Sequence, residues 1–350
     1  MAYDLGKRLV IGVASSALFD LSESDAIFRS QGEAAYRQYQ QENLDIHLGP
    51  GVAFPFVRRI LSLNDLSESQ ADPLVEVMIL SHNDPDTGLR VMRSVAHHKL
   101  GITRSIFTQG KSPYDYIPVL NISLFLSANA QDVQRATENG YPAGRVLDSE
   151  FVDDQLDLEL RIAFDFDAVL ADDESERVME GADLDAFHSH ETQNLAKPHT
   201  PGPLKEFLVG VSRLQLVEAR RKAEDPTYIT RLRVSIVTAR NAPSHERALA
   251  TLKSWEVLVN DAFFLGGIEK AKVLQVLKPH IFFDDQTGHL EPAAKFTPSV
   301  HIPFGIRNLL QPSTQTSGDG GVLQSGEPTG GNEAGEVDIA DGLNASAIDT

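Results

Sequence analysis

The chain has no cysteine. Disulfides, thiolate nucleophiles, cysteine-bound zinc and iron–sulfur clusters are therefore excluded together. Such a chain suits a reducing compartment. Basic residues are scarce: 31 Lys and Arg stand against 50 Asp and Glu in 350 residues, a net charge of −19. Nucleic acid needs a basic footprint, so the acidity argues against it as a general partner, and equally against docking on an anionic lipid surface. No apolar run reaches the ~18 residues that a bilayer requires. The opening, Met1 to Arg8 followed by the apolar Leu9 to Phe19, lacks the basic start and small-residue cleavage site of a secretory signal. These absences give the expectation of a cytoplasmic protein with no membrane partner.

What is present fits a globular protein. A hydrophobic fraction of 41% is enough for a sizeable core, and the length suggests about two domains. From Gln311 to Thr350 there is no Lys, Arg or aromatic residue, while seven acids lie among Gly, Ser and Thr. Such a composition cannot offset its ordering entropy, so 311–350 is expected to be a disordered acidic tail. Residues 1–310 keep −12 of the charge.

Short Val-, Ile- and Phe-rich runs recur within that region: Leu9–Val13, Val75–Leu80, Ile122–Leu126, Leu160–Phe164, Arg233–Val237 and Ile281–Phe283. They lack strict alternation, as central parallel strands covered on both faces do. Amphipathic stretches such as Thr87–His98, Gln131–Asn139, Pro203–Ala219 and Ser244–Leu258 lie between them. The pattern predicts an α/β fold of βαβ units. It also repeats. Leu9–Asp25 can be laid on Leu160–Glu176 at an offset of 151, and the stretches from Val77, Phe107 and Leu124 fall on those from Val234, Phe264 and Ile281 at 157. Two readings remain open. One is the general likeness of all βα units; the other is two tandem copies of one α/β domain, 1–150 and 151–310.

In the second copy, acids gather at strand ends. Asp165 and Asp167 follow one strand, Thr238 and Arg240 end another, and Asp284–Asp285 end a third, with Lys270 after Gly266–Gly267. Open parallel sheets bind ligands outside the carboxyl ends of their strands, so these residues converge on one crevice. The residue types suit phosphoryl transfer from a monoester to water. Asp165 can attack phosphorus and form an aspartyl-phosphate. Asp167 can protonate the leaving oxygen and then activate water. Clustered carboxylates require a cation. Mg²⁺ held by Asp165, Asp284 and the Asp167 carbonyl, with Asp285 behind, meets that need. Thr238 and Lys270 can hold the transferring group. Arg240 can bind phosphate or pair with an acid.

Asp165-x-Asp167-x-Val169, Thr238, Lys270 and Asp284–Asp285 resemble the four motifs of the haloacid dehalogenase superfamily of phosphatases. The longer strings Phe164–Glu176, Gly202–Lys205, His280–Gln286, Asp84–Arg90 and Leu124–Asn129 are similar to the cytosolic 5′-nucleotidase class I family. The resemblance covers about 8–308. It implies two Rossmann-like domains of the dehalogenase type, the first degenerate and the second active. It also implies Mg²⁺-dependent hydrolysis of nucleoside 5′-monophosphates, AMP and deoxynucleotides among them. Two departures stand out: Gln109 replaces a glycine of the family's string, and Lys272 lies close enough to compete with Lys270.

A helical cap is expected at about 171–230, where His188 and Lys197 are candidate contacts to base or ribose. His188 and His190, two apart, make a poor zinc pair. In the first copy Ala14 lies opposite Asp165, Ser16 opposite Asp167, and Ser127–Ala128 opposite Asp284–Asp285. That crevice is expected to hold no catalytic metal. It either holds an effector nucleotide, with Ser81 and Asn83 among the contacts, or is a structural partner. Homo-oligomers remain open. The alternatives in function are a phosphatase acting on a sugar phosphate and a nucleotide-sensing protein that kept the fold.

Overall fold

The structure is a computed structural model that describes residues 3–181 and 183–309. The expected tail at 311–350 lies outside the described residues. The chain order of the first half is β1 (Leu9–Val13), α1 (Ser15–Leu18), α2 (Ser22–Glu42), α3 (Phe54–Ser62), β2 (Val75–Ser81), α4 (Pro85–His97), β3 (Arg104–Phe107), α5 (Tyr116–Val119), β4 (Leu124–Ser127), α6 (Ala130–Glu138) and β5 (Ala143–Val146). The second half runs β6 (Leu160–Phe164), α7 (Glu174–Gly181), α8 (Leu184–Gln193), α9 (Lys205–Glu224), β7 (Leu232–Thr238), α10 (His245–Ser254), β8 (Asp261–Phe264), α11 (Lys270–Leu277), β9 (Ile281–Asp284), α12 (Thr287–Ala294), β10 (Ser299–His301) and α13 (Ile306–Leu309).

The ten strands among the described residues form one sheet in the order β3-β2-β1-β4-β5-β10-β9-β6-β7-β8. Every pairing is parallel except the seam in the middle, where β10 runs antiparallel to β5 through Val300–Val146 and His301–Arg145. The fold is thus α/β with a mostly parallel sheet. β1 and β2 are buried at every position, which explains why their sequences show no period of two.

Register repeats between the halves. Leu9 pairs with Val75, and Leu160 with Leu232. Ile11 pairs with Leu124, and Ile162 with Ile281. Met78 pairs with Arg104, and Ser235 with Asp261. Each second-half partner lies 151 residues on from its counterpart for β1 and 157 for β2, β3 and β4.

Within the region where a cap is expected, the helices differ in role. α9 buries Phe207, Leu208, Val211 and Leu214 in the main core, with Phe207 tilted against Phe164 and edge-on to Phe283. It approaches β1 so closely that a Cβ on Gly210 would come within 2.6 Å of Leu9. α7 and α8 bury far fewer side chains: Ser175 and Glu176 on one, Phe187 and Glu191 on the other.

Candidate active site

β6 and β9 are neighbours in the sheet, so the residues that end them stand side by side. The Asp165 amide donates to the Phe283 carbonyl at 2.8 Å, and Asp284 is the last residue of β9. Lys270 opens α11 after a turn in which Gly266 and Gly267 have φ of 54° and 90°, the left-handed region glycine takes without strain. That turn brings Lys270 Nζ to 2.7 Å from Asp165 Oδ2 and 2.7 Å from Asp284 Oδ2. Lys270 is 2% exposed, whereas the Lys272 side chain is 74% exposed and pairs with Glu269. The residue inside the cluster is therefore Lys270.

Burial governs the charges of this cluster. It pushes the Asp165 carboxyl up to about 6, with Lys270 opposing and the Asp284 and Asp167 charges assisting. Burial disfavours the Lys270 ammonium too, but Asp165 and Asp284 outweigh it and hold its proton more tightly than usual. For Asp284 burial works upward, yet Lys270 and His289 prevail and keep its carboxyl below the ordinary range. Asp285 is 1% exposed, and neither of its carboxylate oxygens has a hydrogen-bond partner. Burial, then Glu176, Asp284 and Asp165, hold its carboxyl well above the ordinary range. Glu176 is pushed up to about 8 by burial, with Arg307 opposing and Asp167 and Asp165 adding to the rise.

The cluster thus carries more buried carboxylate than its one ammonium can neutralise. Orphaned buried oxygens of this kind are the mark of a missing positive partner. Carboxylate atoms of Asp165 and Asp284 and a ring nitrogen of His289 lie within 4.8 Å of one another, a spacing one ion can span. Hard oxygen donors suit Mg²⁺. His289 is not among the residues singled out in the sequence. The signal for it was its place in the helix after β9, five residues beyond Asp284, where its Nδ1 reaches 3.2 Å from Asp284 Oδ1. A second trio, Asp172, Glu174 and His199, has similar spacing, but Arg247 already donates to Glu174 at 2.9 Å.

Asp167 projects beside this cluster and is met by Arg240, whose Nε and Nη2 donate to its two oxygens at 2.8 and 2.6 Å. Thr238, 1% exposed at the end of β7, accepts from the Arg240 amide at 3.3 Å. Ala168 follows with φ of 55° and turns the chain toward α7. Several residues missed in the sequence complete the surroundings: Glu191 and Ser175 on the two small helices, and Arg247 on α10. The hydrogen-bonded pairs among them are 16 and 56 positions apart and show no joint motif, so only the fold reveals their contact.

The remaining candidates lie elsewhere. His188 sits on α8 beside Phe187, with ring centroids 5.5 Å apart. His190, two residues on in the same helix, faces Glu174 and Glu191. Lys197 offers its carbonyl to Arg247 Nε at 3.0 Å. Among the described residues, no hydrogen bond or ion pair joins His188 or Lys197 to Asp165, Asp167, Lys270 or Asp284. Ser81 and Asn83 lie at the carboxyl end of β2. Ser81 Oγ is 2.8 Å from Ser15 Oγ, and Asn83 accepts from the Tyr36 hydroxyl at 3.0 Å. A cavity of about 590 Å³ opens near that end of the first half, lined in part by Ser16, Ala128, Arg29 and Arg145.

No helix among the described residues is long and apolar enough to cross a membrane. No solved structure matches the chain. Among curated proteins it is 35% identical over 292 residues to human (Homo sapiens) cytosolic 5′-nucleotidase 1B, covering 82% of this chain and 47% of that protein. The chain therefore spans about half the length of that relative. It also matches the 5′-nucleotidase family over residues 1–309, and on that match, with the strand-end cluster it contains, the chain belongs to the 5′-nucleotidase family.

Proposed function

We propose that the protein is a cytoplasmic, Mg²⁺-dependent 5′-nucleotidase that hydrolyses nucleoside 5′-monophosphates, AMP and deoxynucleotides included. The observation that carries this reading is the buried Asp165–Lys270–Asp284 cluster at the ends of two adjacent strands, in a chain of the 5′-nucleotidase family. A carboxylate within hydrogen-bond reach of a buried ammonium is an anion ready to meet phosphorus without a water shell to shed.

Asp165 attacks phosphorus, and the bond from phosphorus to the nucleoside 5′-oxygen breaks. Asp167 gives that oxygen a proton. Water then attacks the aspartyl-phosphate, its proton passes to Asp167, and inorganic phosphate leaves with the Asp165 carboxylate restored. Lys270 offsets charge on Asp165 and on the transferring group. Thr238 offers its hydroxyl to a phosphoryl oxygen. Asp165, Asp284, Asp285 and the Asp167 carbonyl would hold the ion, with His289 close by. When bound, Mg²⁺ draws off negative charge from the phosphoryl oxygens.

The same reading takes the two halves as tandem dehalogenase-type domains, 1–150 and 151–310, the first without catalytic carboxylates. The repeated strand registers support it. The mobile cap is read as α7 and α8 rather than the whole of 171–230, because α9 belongs to the core. The first half is read as a crevice without chemistry, free to hold an effector nucleotide or to serve as a partner surface.

The test is a panel of phosphomonoesters assayed with Mg²⁺ and with EDTA. Preference for nucleoside 5′-monophosphates, lost in EDTA, is expected. Sugar phosphates as the better substrates would overturn the substrate class. Nucleotide binding without hydrolysis would overturn the enzyme.

A further inference from the structure

Arg240 stands two residues after Thr238, a place from which a guanidinium can reach either a phosphoryl oxygen or an acid. Its donors decide between these. Nε gives to Asp167 Oδ2 at 2.8 Å. Nη2 gives to Asp167 Oδ1 at 2.6 Å and to Ser175 Oγ at 2.7 Å. Nη1 gives to the Ser244 carbonyl at 3.2 Å and to Glu191 Oε2. A guanidinium has five N–H groups, and all five are engaged. The side chain is 2% exposed and lies over the rings of Phe166 and Phe187, 5.1 and 5.5 Å from their centroids. Two carboxylates face its single charge, one of them shared with Arg247. No donor remains for a phosphate.

We propose that Arg240 is a positioning residue that fixes the Asp167 carboxylate and ties its orientation to the seating of α7 and α8 through Ser175 and Glu191. The proposal rests on the reading of Asp167 as the proton donor. Two parallel N–H···O bonds hold both oxygens of Asp167 in one plane, which a lysine's point charge cannot do. Glu191 holds the far side of the guanidinium and is itself locked. It accepts from Ser175 Oγ and Arg247 Nη1, both at 2.9 Å, and lies 3.2 Å from His199 Nε2. The small helices thus enter the chemistry through Arg240. When they shift, the Arg240 fork loses its backing and Asp167 loses its aim. Proton transfer tolerates little misplacement, so the penalty falls on leaving groups that need a proton.

That dependence gives the test. The constant kcat/KM is measured on AMP and on p-nitrophenyl phosphate for Arg240→Lys, Glu191→Gln and Asp167→Ala. Nitrophenolate leaves without a proton, while a nucleoside 5′-oxygen does not. Asp167→Ala sets the scale, with a loss of ~10²–10⁴-fold on AMP and little on the nitrophenyl ester. Arg240→Lys is expected to lose ~10–10²-fold on AMP and under ~3-fold on the nitrophenyl ester, with inhibition by inorganic phosphate unchanged. Glu191→Gln should show the same split, smaller in size.

Equal losses on both esters, or weaker inhibition by phosphate, would overturn the positioning role and make Arg240 a phosphate ligand or a purely structural group. If Asp167→Ala itself fails to separate the esters, the proton-donor reading falls and takes this inference with it. If circular dichroism finds Arg240→Lys unfolded, the Glu191→Gln split decides alone.

Discussion

The two halves of this sheet share hydrogen bonds at their strand ends and carry different side chains there. At the end of β9 the Gln286 amide donates to Asp284 at 2.9 Å; at the end of β4 the Asn129 amide donates to Ser127 at 3.1 Å. At the end of β7 the Arg240 amide donates to Thr238 at 3.3 Å; at the end of β2 the Asn83 amide donates to Ser81 at 3.2 Å. Even the turn after β8 has its twin. Gly266 donates its amide to the Arg240 carbonyl as Gln109 does to that of Asn83, and both residues have positive φ. What differs is charge. Asp165, Lys270 and Asp284 meet in the second crevice, while Ser15 and Ser81 share a neutral hydrogen bond in the first. Pro113 stands where the offset of 157 would put a lysine. A strand-end scaffold is thus one invention and its reactivity another, set by a few side chains that the backbone bonds do not require.

The sharpest way to break the comparison is to make the second crevice resemble the first. Asp165→Asn keeps the side chain's shape and removes its nucleophilic charge. Nucleoside release from AMP should fall by at least ~10³-fold, and near-normal turnover would sink the mechanism. Removing the ion comes next. EDTA should abolish release, and added Mg²⁺ should restore it in the parent protein but only weakly in Asp284→Asn. Full activity in EDTA would remove the metal from the account.

The reverse experiment adds carboxylates to the first crevice. Ala14 is 6% exposed and Ser127 1%, so Ala14→Asp with Ser127→Asp buries two acids with no lysine between them. Several kcal/mol of stability should be lost, seen as a lower thermal midpoint, and no turnover should appear when Asp165→Asn is also present. An unchanged midpoint would mean that this crevice tolerates charge.

The smallest effect concerns His280, whose counterpart by the same offset is Ser123. The His280 amide donates to the Arg161 carbonyl as that of Ser123 does to Val10. Burial, then Arg59 and Arg161, push the imidazole down to about 3. Between that value and the ordinary 6.5 the unfolded chain binds a proton that the folded chain refuses, so stability falls as pH drops through this window. His280→Ser should flatten the change in unfolding free energy between pH 7.5 and 4.5, read from urea titrations, by about 3 kcal/mol. An identical pH dependence in both proteins would show that the imidazole is not held neutral.

Long buried strands were the legible part of this fold. Leu9–Val13 and Leu160–Phe164 run as their sequences predict, because continuous apolar runs leave few other choices. β3, β5, β8 and β10 are only three or four residues each. β3 and β8 sit half-exposed at the sheet's edges, and too little apolar sequence marks them. The α2 stretch, two helical segments broken at Gly32, escaped for a related reason: it buries only Ser24 and Gln40, and its polar sequence shows no stripe. In the site, Asp165, Asp284 and Lys270 were legible because each sits at a strand or helix end with a recognisable neighbour. Glu191 and Arg247 were not, since an acid in the last turn of one short helix and an arginine in the first turn of another look like solvated surface until the fold buries both.

The antiparallel seam has a geometric consequence for traffic. Because β10 runs against β5, the carboxyl ends of β6–β9 point to one rim of the sheet and those of β1–β4 to the other. Molecules enter such sheets at the carboxyl rim. Whatever reaches Asp165 therefore arrives and departs by one door, and whatever settles beside Ser81 uses another on the far side. The two never share a vestibule, so they cannot jostle, block or hand material to each other directly. Any message between them must travel through the protein itself.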